Sequence, residues 1–377
     1  EEYYEATKEE IALNRPKKSD TEKINSSIDT YTYDCATRAL MEQEGFQFKY
    51  YFDSDKEKKS YGEAYDELYS ACQKKLFSGG YKIYTTIDME KQKELQSAID
   101  DTLKGFKDKS KDGTYKMQAA AVSIDNNSGY VVAIVGGRKQ DSDNYTLNRA
   151  YQSYRQPGSS IKPLIVYTPA MMQDYTPDST VYDIDVKTAQ KKGVDVSSLT
   201  GASMSLRSAV VNSKNGCAYQ VFNDIGPKYG LSFATQMEFD RIVPADYTLS
   251  AALGGLTYGV TTVQMASGYP ALVNEGEFRT PTCITSIVDD NGDELYKEDK
   301  AVPVYSSDAA ADMIRHFADV LHHGRNVGKD ALVFALEDVI RRIARRADDE
   351  RVVDESLAQR VDCRDSAFQR ELRRYFL

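Results

Sequence analysis

Residues Arg155-Gln156-Pro157-Gly158-Ser159-Ser160-Ile161-Lys162-Pro163 run directly into the apolar Leu164-Ile165-Val166. Pro-Gly followed by this run reads as the start of a helix, and it places a serine three residues before a lysine. Positions i and i+3 share one face of a helix. The Lys162 amine can therefore lie beside the Ser159 hydroxyl. A lysine held near neutrality, by burial or by neighbouring positive charge, can take the serine proton and make the hydroxyl a nucleophile. No histidine is at hand as an ordinary base, because His316, His322 and His323 all fall near the C-terminal end.

The chain has 377 residues, enough for two or three domains or one large domain with an extension. A net charge of −10 argues against nucleic acid as a main partner, since phosphate binding needs clustered Lys and Arg. No apolar run approaches the ~18 residues of a membrane-spanning helix, and no charged-then-apolar leader opens the chain. The start at Glu1-Glu2-Tyr3-Tyr4, without Met, suggests a piece of a longer protein. Five cysteines (Cys35, Cys72, Cys217, Cys283, Cys363) form no CxxC pair and no zinc-ligand spacing. Cys35 and Cys72 can bridge in an extracellular setting, but isolated buried thiols are the expected state. No cofactor or metal is expected, and the three histidines have no acid or cysteine at ligand spacing.

Composition changes near residue 315. Residues 1–310 carry 27 Lys and 8 Arg, whereas 311–377 carry 1 Lys and 12 Arg. After the change tyrosine occurs once, at Tyr375. Residues 331–347 and 356–376 are amphipathic and read as a solvated helical tail, fused or frame-shifted relative to what precedes it.

Along the chain, residues 33–44 and 61–76 have helical periodicity, broken by Gly79-Gly80. Residues 81–87 are β-branched and aromatic, hence a strand. Asp88 then caps a helix through Gln92, Leu95 and Ile99. Residues 117–124 and 130–135 flank Asn126-Asn127-Ser128-Gly129 and read as a hairpin with Gly129 at positive φ. Gly136-Gly137 reads as a bend, with no Lys-Ser/Thr following to suggest a phosphate loop. Residues 177–192 are expected as loop, with Asp183 and Asp185 solvated in it, and residues 200–211 as a helix. Residues 250–269 read as core helix and turn, with Gly254-Gly255 as packing glycines. Residues 284–296 read as strand, turn and strand.

Ser159 and Lys162, followed by Ser213-Lys214-Asn215, resemble the first two active-site motifs of the penicillin-binding proteins, Ser-x-x-Lys and Ser-x-Asn, in the right order and separation. The lead-in 206–212 resembles the helix that carries the second motif. Tyr84-Thr85-Thr86-Ile87-Asp88 with Gln92, Leu147-Asn148-Arg149-Ala150, Ala252-Leu253-Gly254-Gly255 and Tyr258-Gly259-Val260-Thr261 resemble the transpeptidase domain of class A (bifunctional) members, Gram-positive type. The resemblance covers about residues 80–320. The third motif, Lys-Thr/Ser-Gly, occurs nowhere in the chain. Gly328-Lys329-Asp330 stands near its expected place without the hydroxyl or the glycine, and no tryptophan follows.

The resemblance implies an α+β transpeptidase fold of the penicillin-binding-protein/β-lactamase type. This is an antiparallel sheet flanked by helices, here incomplete at the C-terminus and extended by a helical tail. The implied division is a helical linker at 1–80 after a missing glycosyltransferase domain, a partial transpeptidase domain at 81–320 and an Arg-rich tail at 321–377. The implied activity is D,D-transpeptidation of peptidoglycan stem peptides ending in D-Ala-D-Ala, on the outer face of the cytoplasmic membrane, with β-lactams acylating the same serine. In that reading Ser159 is the nucleophile, Lys162 its base and Ser213 a proton relay. Asn215 holds the substrate amide and Lys162, while Lys214 faces solvent. Implied partners are the stem peptide, β-lactam antibiotics and other cell-wall synthesis proteins. The missing third motif and its strands lead us to expect weak or no activity and an open sheet edge. Two alternatives stay open: a β-lactam sensor or serine β-lactamase, and a non-catalytic cell-wall module that binds stem peptides or partners.

Overall fold

The computed structural model describes residues 26–52, 54–111, 113–139, 147–296 and 301–323. The tail, Gly328-Lys329-Asp330 and residues 1–20 lie outside them. In chain order the elements are α1 (Ser26–Gln43), α2 (Asp55–Ser78), β1 (Lys82–Thr85), α3 (Met89–Thr102), β2 (Ala121–Ile124), β3 (Val131–Val135) and α4 (Arg149–Gln152). A 3₁₀ turn (Gly158–Ile161), a π turn (Pro163–Tyr167) and α5 (Thr168–Met171) follow. Next come β4 (Thr180–Asp183), α6 (Val186–Ala189), β5 (Ala202–Ser205), α7 (Leu206–Val211), α8 (Asn215–Ile225) and α9 (Pro227–Gln236). The described residues close with α10 (Thr262–Val273), β6 (Glu277–Phe278), β7 (Ile284–Val288), β8 (Glu294–Tyr296), β9 (Val302–Pro303) and α11 (Ser307–His323). Helices and antiparallel strand pairs are thus mixed along the chain, as expected of an α+β domain.

Local chemistry sets the boundaries. Asp88 accepts from the backbone N–H groups of Glu90 and Lys91 and so starts α3. The β2–β3 hairpin pairs antiparallel from Ala121↔Val135. Asp125 Oδ1 accepts from Asn127 N, Ser128 N and Ser128 Oγ in its turn, and Gly129 takes φ +74°. Strands β1, β7 and β8 form one antiparallel sheet.

Two expectations change. The region 177–192 is not all loop, because β4 and α6 lie in it. Residues 200–211 do not open as a helix: β5 pairs with β4 from Ala202↔Asp183 to Ser205↔Thr180, and α7 starts only at Leu206. Gly201 permits this. A Cβ there would lie 2.2 Å from Asp183 O, so only glycine lets the two backbones approach. Cross-strand pairing then overrides the helical period, and Ser205 ends the strand by capping α7 through Ser208 N.

Two apolar cores result. One gathers Ile161, Leu164, Ile165 and Tyr167 with Leu206, Val221, Phe222 and Leu231 from α7, α8 and α9, and with Met265 and Leu272 of α10. The other joins Tyr31, Cys35, Leu40 and Met41 of α1 and Cys72 and Leu76 of α2 to Val131, Ile134, Cys283, Ile284 and Ile287. Cys35, Cys72, Cys217 and Cys283 are buried and unbridged. No bridge joins Cys35 to Cys72 in the structure.

The hairpin's β3 edge is closed by side chains and loop backbone. Gln92 is 1% exposed, donates Nε2 to Ile134 O at 2.8 Å and accepts Ile134 N at 2.8 Å. Asp88 N donates to Val132 O and Thr86 Oγ1 to Val131 O, both at 2.8 Å. Among the described residues, β2 pairs with no strand other than β3. The β3 edge is thus protected by these partners. Gln92→Leu leaves two buried backbone groups of Ile134 without partners. We expect it to lower the unfolding free energy by roughly 2–5 kcal/mol, read from the urea midpoint at constant m-value.

Candidate active site

The serine turn is held by a strap that arrives from almost a hundred residues downstream. Arg155 and Val260 exchange both backbone hydrogen bonds at 2.8 Å. Leu256 N donates to Gln156 Oε1 at 2.8 Å, and Gln156 Nε2 donates to Leu256 O. Gly254 sits in the left-handed region (φ +80°), and a Cβ there would lie 2.3 Å from Gly158 N. Gly259, at φ +78°, touches the Arg155 carbonyl in the same way. The resemblance segments around Gly254 and Gly259 are therefore the strap's points of backbone-to-backbone contact. Asp246, 1% exposed, organises the strap by accepting from Val243 N, Thr257 N and Thr257 Oγ1. Tyr269 Oη, from α10, donates to Ser160 O at 2.5 Å.

Ser159 stands on a 3₁₀ turn rather than an α-helix, and Lys162 N donates to Ser159 O across it. In 3₁₀ geometry residues i and i+3 eclipse, so the expected shared face is kept. Ser159 is exposed, and its hydroxyl makes no hydrogen bond among the described residues. Lys162 is 2% exposed. Its Nζ donates to Ser213 O at 2.9 Å, Asn215 Oδ1 at 2.7 Å and Ser213 Oγ at 3.3 Å. The structure thus brings Lys162, Ser213 and Asn215 into direct contact and leaves Ser159 at the solvent mouth, one turn away.

Ser213 is the residue just past α7, and it adopts φ +48°. Helices commonly end on a left-handed residue, but that residue is usually glycine. A serine in this region costs roughly 1–2 kcal/mol of local strain. The conformation turns both the Ser213 carbonyl and its hydroxyl toward Lys162. It also lets α8 begin immediately at Asn215, so that a single reversal presents two motif side chains to one amine.

Asp183 braces that reversal, a role outside the loop solvation expected of it. Its Oδ2 pairs with Lys214 Nζ at 3.0 Å and its Oδ1 accepts Gly216 N at 3.2 Å. Gly216 has no room for a side chain, since a Cβ would meet Ile184 O at 2.2 Å. Lys214 is partly exposed as expected, but it is ion-paired and not merely solvated. Asp185 caps α6 through Lys187 N and takes no part in the site. Among the described residues, no group of three His, Cys, Asp or Glu could hold a metal. The side chains of His316, His322 and His323 lie outside the description.

Burial lowers the Lys162 pKa from 10.5 to about 8, with Cys217 and Asp183 pulling weakly the other way. No carboxylate contacts the amine; its hydrogen-bond partners are neutral oxygens.

The sequence match agrees with this geometry. The family model described as "Penicillin binding protein transpeptidase domain" matches residues 119–333, more than half of the chain, and the chain belongs to that family. The match runs somewhat past residue 320, where the resemblance in the sequence fades. The chain is 32% identical over 305 residues to penicillin-binding protein 4 of Bacillus subtilis, which covers 80% of this chain and 46% of that protein. It is 30% identical over 258 residues to penicillin-binding protein 1A of Clostridium tetani, covering 64% and 32% respectively. The chain therefore spans less than half the length of these curated relatives. Its fold is shared with the PonA1 protein from Mycobacterium tuberculosis, solved in complex with penicillin V. That similarity has a TM-score of 0.58 at 20% identity and covers 82% of this chain and 74% of the other.

The Lys162 amine is expected to titrate near 8, well below an unperturbed lysine, when followed by NMR of ¹³Cε-labelled lysine. Asp183→Asn removes a nearby negative charge and is expected to move that midpoint further down. Because the folded-state value lies below the unfolded 10.5, fewer protons are bound when folded between pH 8 and 10.5. Stability contributed at this site rises with pH across that window.

Proposed function

We propose that this chain carries the serine acyl-transfer centre of a D,D-transpeptidase that cross-links peptidoglycan stem peptides. Family membership supports the reaction class. The observation that carries the site assignment is the buried Lys162 amine, low in pKa, enclosed by Ser213 and Asn215 one turn from an exposed serine. Lys162 in its neutral form takes the Ser159 proton as the hydroxyl attacks the carbonyl between two terminal D-alanines. An ammonium Nζ has three donors, and all three are spent on Ser213 and Asn215. Loss of one proton frees a lone pair for Ser159, and the 3.3 Å contact with Ser213 Oγ is the longest and easiest to reverse. Ser213 then passes a proton to the departing D-alanine, and Asn215 holds the substrate amide. The amine of a neighbouring stem completes the transfer, while a β-lactam leaves the serine acylated.

In this reading residues 81–320 are the transpeptidase unit, preceded by a linker at 1–80 and followed by the Arg-rich tail. The domain acts on the outer face of the cytoplasmic membrane, alongside other cell-wall synthesis proteins. No helix among the described residues is long and apolar enough to cross a membrane. A second reading is favoured by one observation, the absence of a Lys-Thr/Ser-Gly triplet: a non-catalytic module that binds stem peptides without turning them over. Loss of one oxyanion-hole donor costs about 100- to 1,000-fold in rate.

Fluorescent penicillin separates the readings. The transpeptidase centre is expected to give a covalent adduct on Ser159, absent in Ser159→Ala. Its acylation rate is expected to rise with pH to a plateau above about 8 as Lys162 deprotonates. A correctly folded chain with no adduct at any pH supports the binding module. Gly254→Ala forces a Cβ against Gly158 and is expected to slow acylation about 100-fold, since small misplacements of a nucleophile cost that much.

A further inference from the structure

The backbone bridge behind the serine turn is an isolated one. Arg155 and Val260 exchange two hydrogen bonds with no ladder on either side, and so short a pairing opens readily unless its flanks are held. Gln156 and Leu256 hold one flank. The other flank converges on Asp240, in the segment after α9. Tyr154, the residue before Arg155, donates its Oη to Asp240 Oδ2 at 2.8 Å. Gln264 donates Nε2 to Asp240 Oδ1 at 2.7 Å and to Glu238 O at 3.2 Å. Gln264 is also the capping partner of Thr261, the residue after Val260: its Oε1 accepts Thr261 N at 3.0 Å, and Thr261 Oγ1 accepts Gln264 N at 3.1 Å. One carboxylate thus joins the residue before one half of the bridge to the helix cap after the other half. The Arg241 guanidinium lies 3.7 Å from the centre of the Tyr154 ring and covers it.

We propose that Asp240 is a positioning residue for Ser159: by clamping Tyr154 to Gln264 it keeps the Arg155–Val260 bridge closed and the serine turn in register with Lys162. Its consequence for rate rests on the acyl-transfer role proposed above; the clamp itself does not. Both groups that face Asp240 are donors, so the position calls for two acceptor oxygens and no donor. A carboxylate meets that need and an amide does not. Burial, and then the Asp240 charge, pushes the Tyr154 phenol well above its usual pKa, so the hydroxyl stays a donor through neutral pH and beyond. Asp240 is itself exposed, so its side chain fills no core. Its printed partners are Tyr154 and Gln264, and it makes no hydrogen bond to Ser159, Lys162, Ser213 or Asn215. It acts on the nucleophile through the backbone, and the effect is on placement and not on the proton affinity of the amine.

The test compares the full chain with Asp240→Asn, Gln264→Glu, the two combined, and Tyr154→Phe. Amide hydrogen exchange reads the clamp. Acylation by fluorescent penicillin, resolved into a binding constant and a first-order acylation rate, reads its consequence. Asp240→Asn turns one acceptor into a donor, and Gln264→Glu sets two carboxylates against each other. Each of these, like Tyr154→Phe, is expected to speed exchange at 155–160 and 256–261 about three- to tenfold, the worth of one exposed charge-assisted hydrogen bond. The acylation rate should fall by a similar factor, since small misplacements of a nucleophile are costly. The binding constant and the pH midpoint near 8 should stay in place. In the combined variant the introduced amide can donate to the introduced carboxylate, which still accepts Thr261 N. Exchange and acylation should then return to within about twofold of the parent, whereas general loosening would add the two defects. Unchanged exchange in the single variants, a combined variant worse than either single one, or faster exchange with an unaltered acylation rate each overturns the proposal. A parent chain that never labels removes the transpeptidase reading, and exchange alone then decides the clamp.

Discussion

The site depends on one lysine amine removed from water without a carboxylate to meet it. An ion-paired lysine becomes harder to deprotonate, whereas one desolvated among neutral oxygens becomes easier. Lys162 is in the second situation because the nearby acid, Asp183, is committed to Lys214 and the Gly216 amide. The apolar run that follows Lys162 anchors its backbone in the first core, and the hydrogen bonds to Ser213 and Asn215 hold the amine in place. The low pKa of the amine and its burial are here one structural fact.

Holding a charged group in that position needs rigid surroundings, and the structure obtains them from backbone rather than from side chains. Gly254 on Gly158, Gly259 on Arg155 and Gly216 on Ile184 bring main chains closer than any side chain would allow. Ser213 does the opposite. It keeps a side chain where glycine would be relaxed, and its hydroxyl reaches the Lys162 amine. Strain of this kind persists only where neighbours over-determine the conformation. Here the hydrogen bonds of Ser213 N and Lys214 N to α7 carbonyls do so.

The second core explains why the helices ahead of the transpeptidase segment are not a loose appendage. Helix α1 packs on β3, β7 and β8, and Ser27 Oγ accepts Gly136 N at 3.0 Å while Asn148 Nδ2 donates to Ser27 O at 2.9 Å. A glycine pair that reads in sequence as a bend is thereby tied to a helix more than a hundred residues earlier. Gln92 plays the corresponding part for β3, supplying an amide where a neighbouring strand would otherwise pair.

Short-range patterns were legible in the sequence alone. The 117–135 hairpin, the Asp88 cap, the helices ahead of Gly79-Gly80 and the Ser-x-x-Lys and Ser-x-Asn spacings all depend on neighbours within a few residues. Residues 200–205 were misread because strand pairing with 180–183 is decided by backbone contact at Gly201, which propensity does not report. Asp183 looked like a solvated loop acid for the same reason, since its partners arrive through the pairing of β4 with β5. Cys35 was weighed against the sequence-near Cys72, whereas the core it joins also holds Cys283 from the far end of the described chain. What the sequence determined was which side chains are the candidates for chemistry. Which of them meet, and how far from water, was decided only when segments a hundred or more residues apart closed on one another, because desolvation and backbone contact are properties of the packed molecule and not of any stretch of chain.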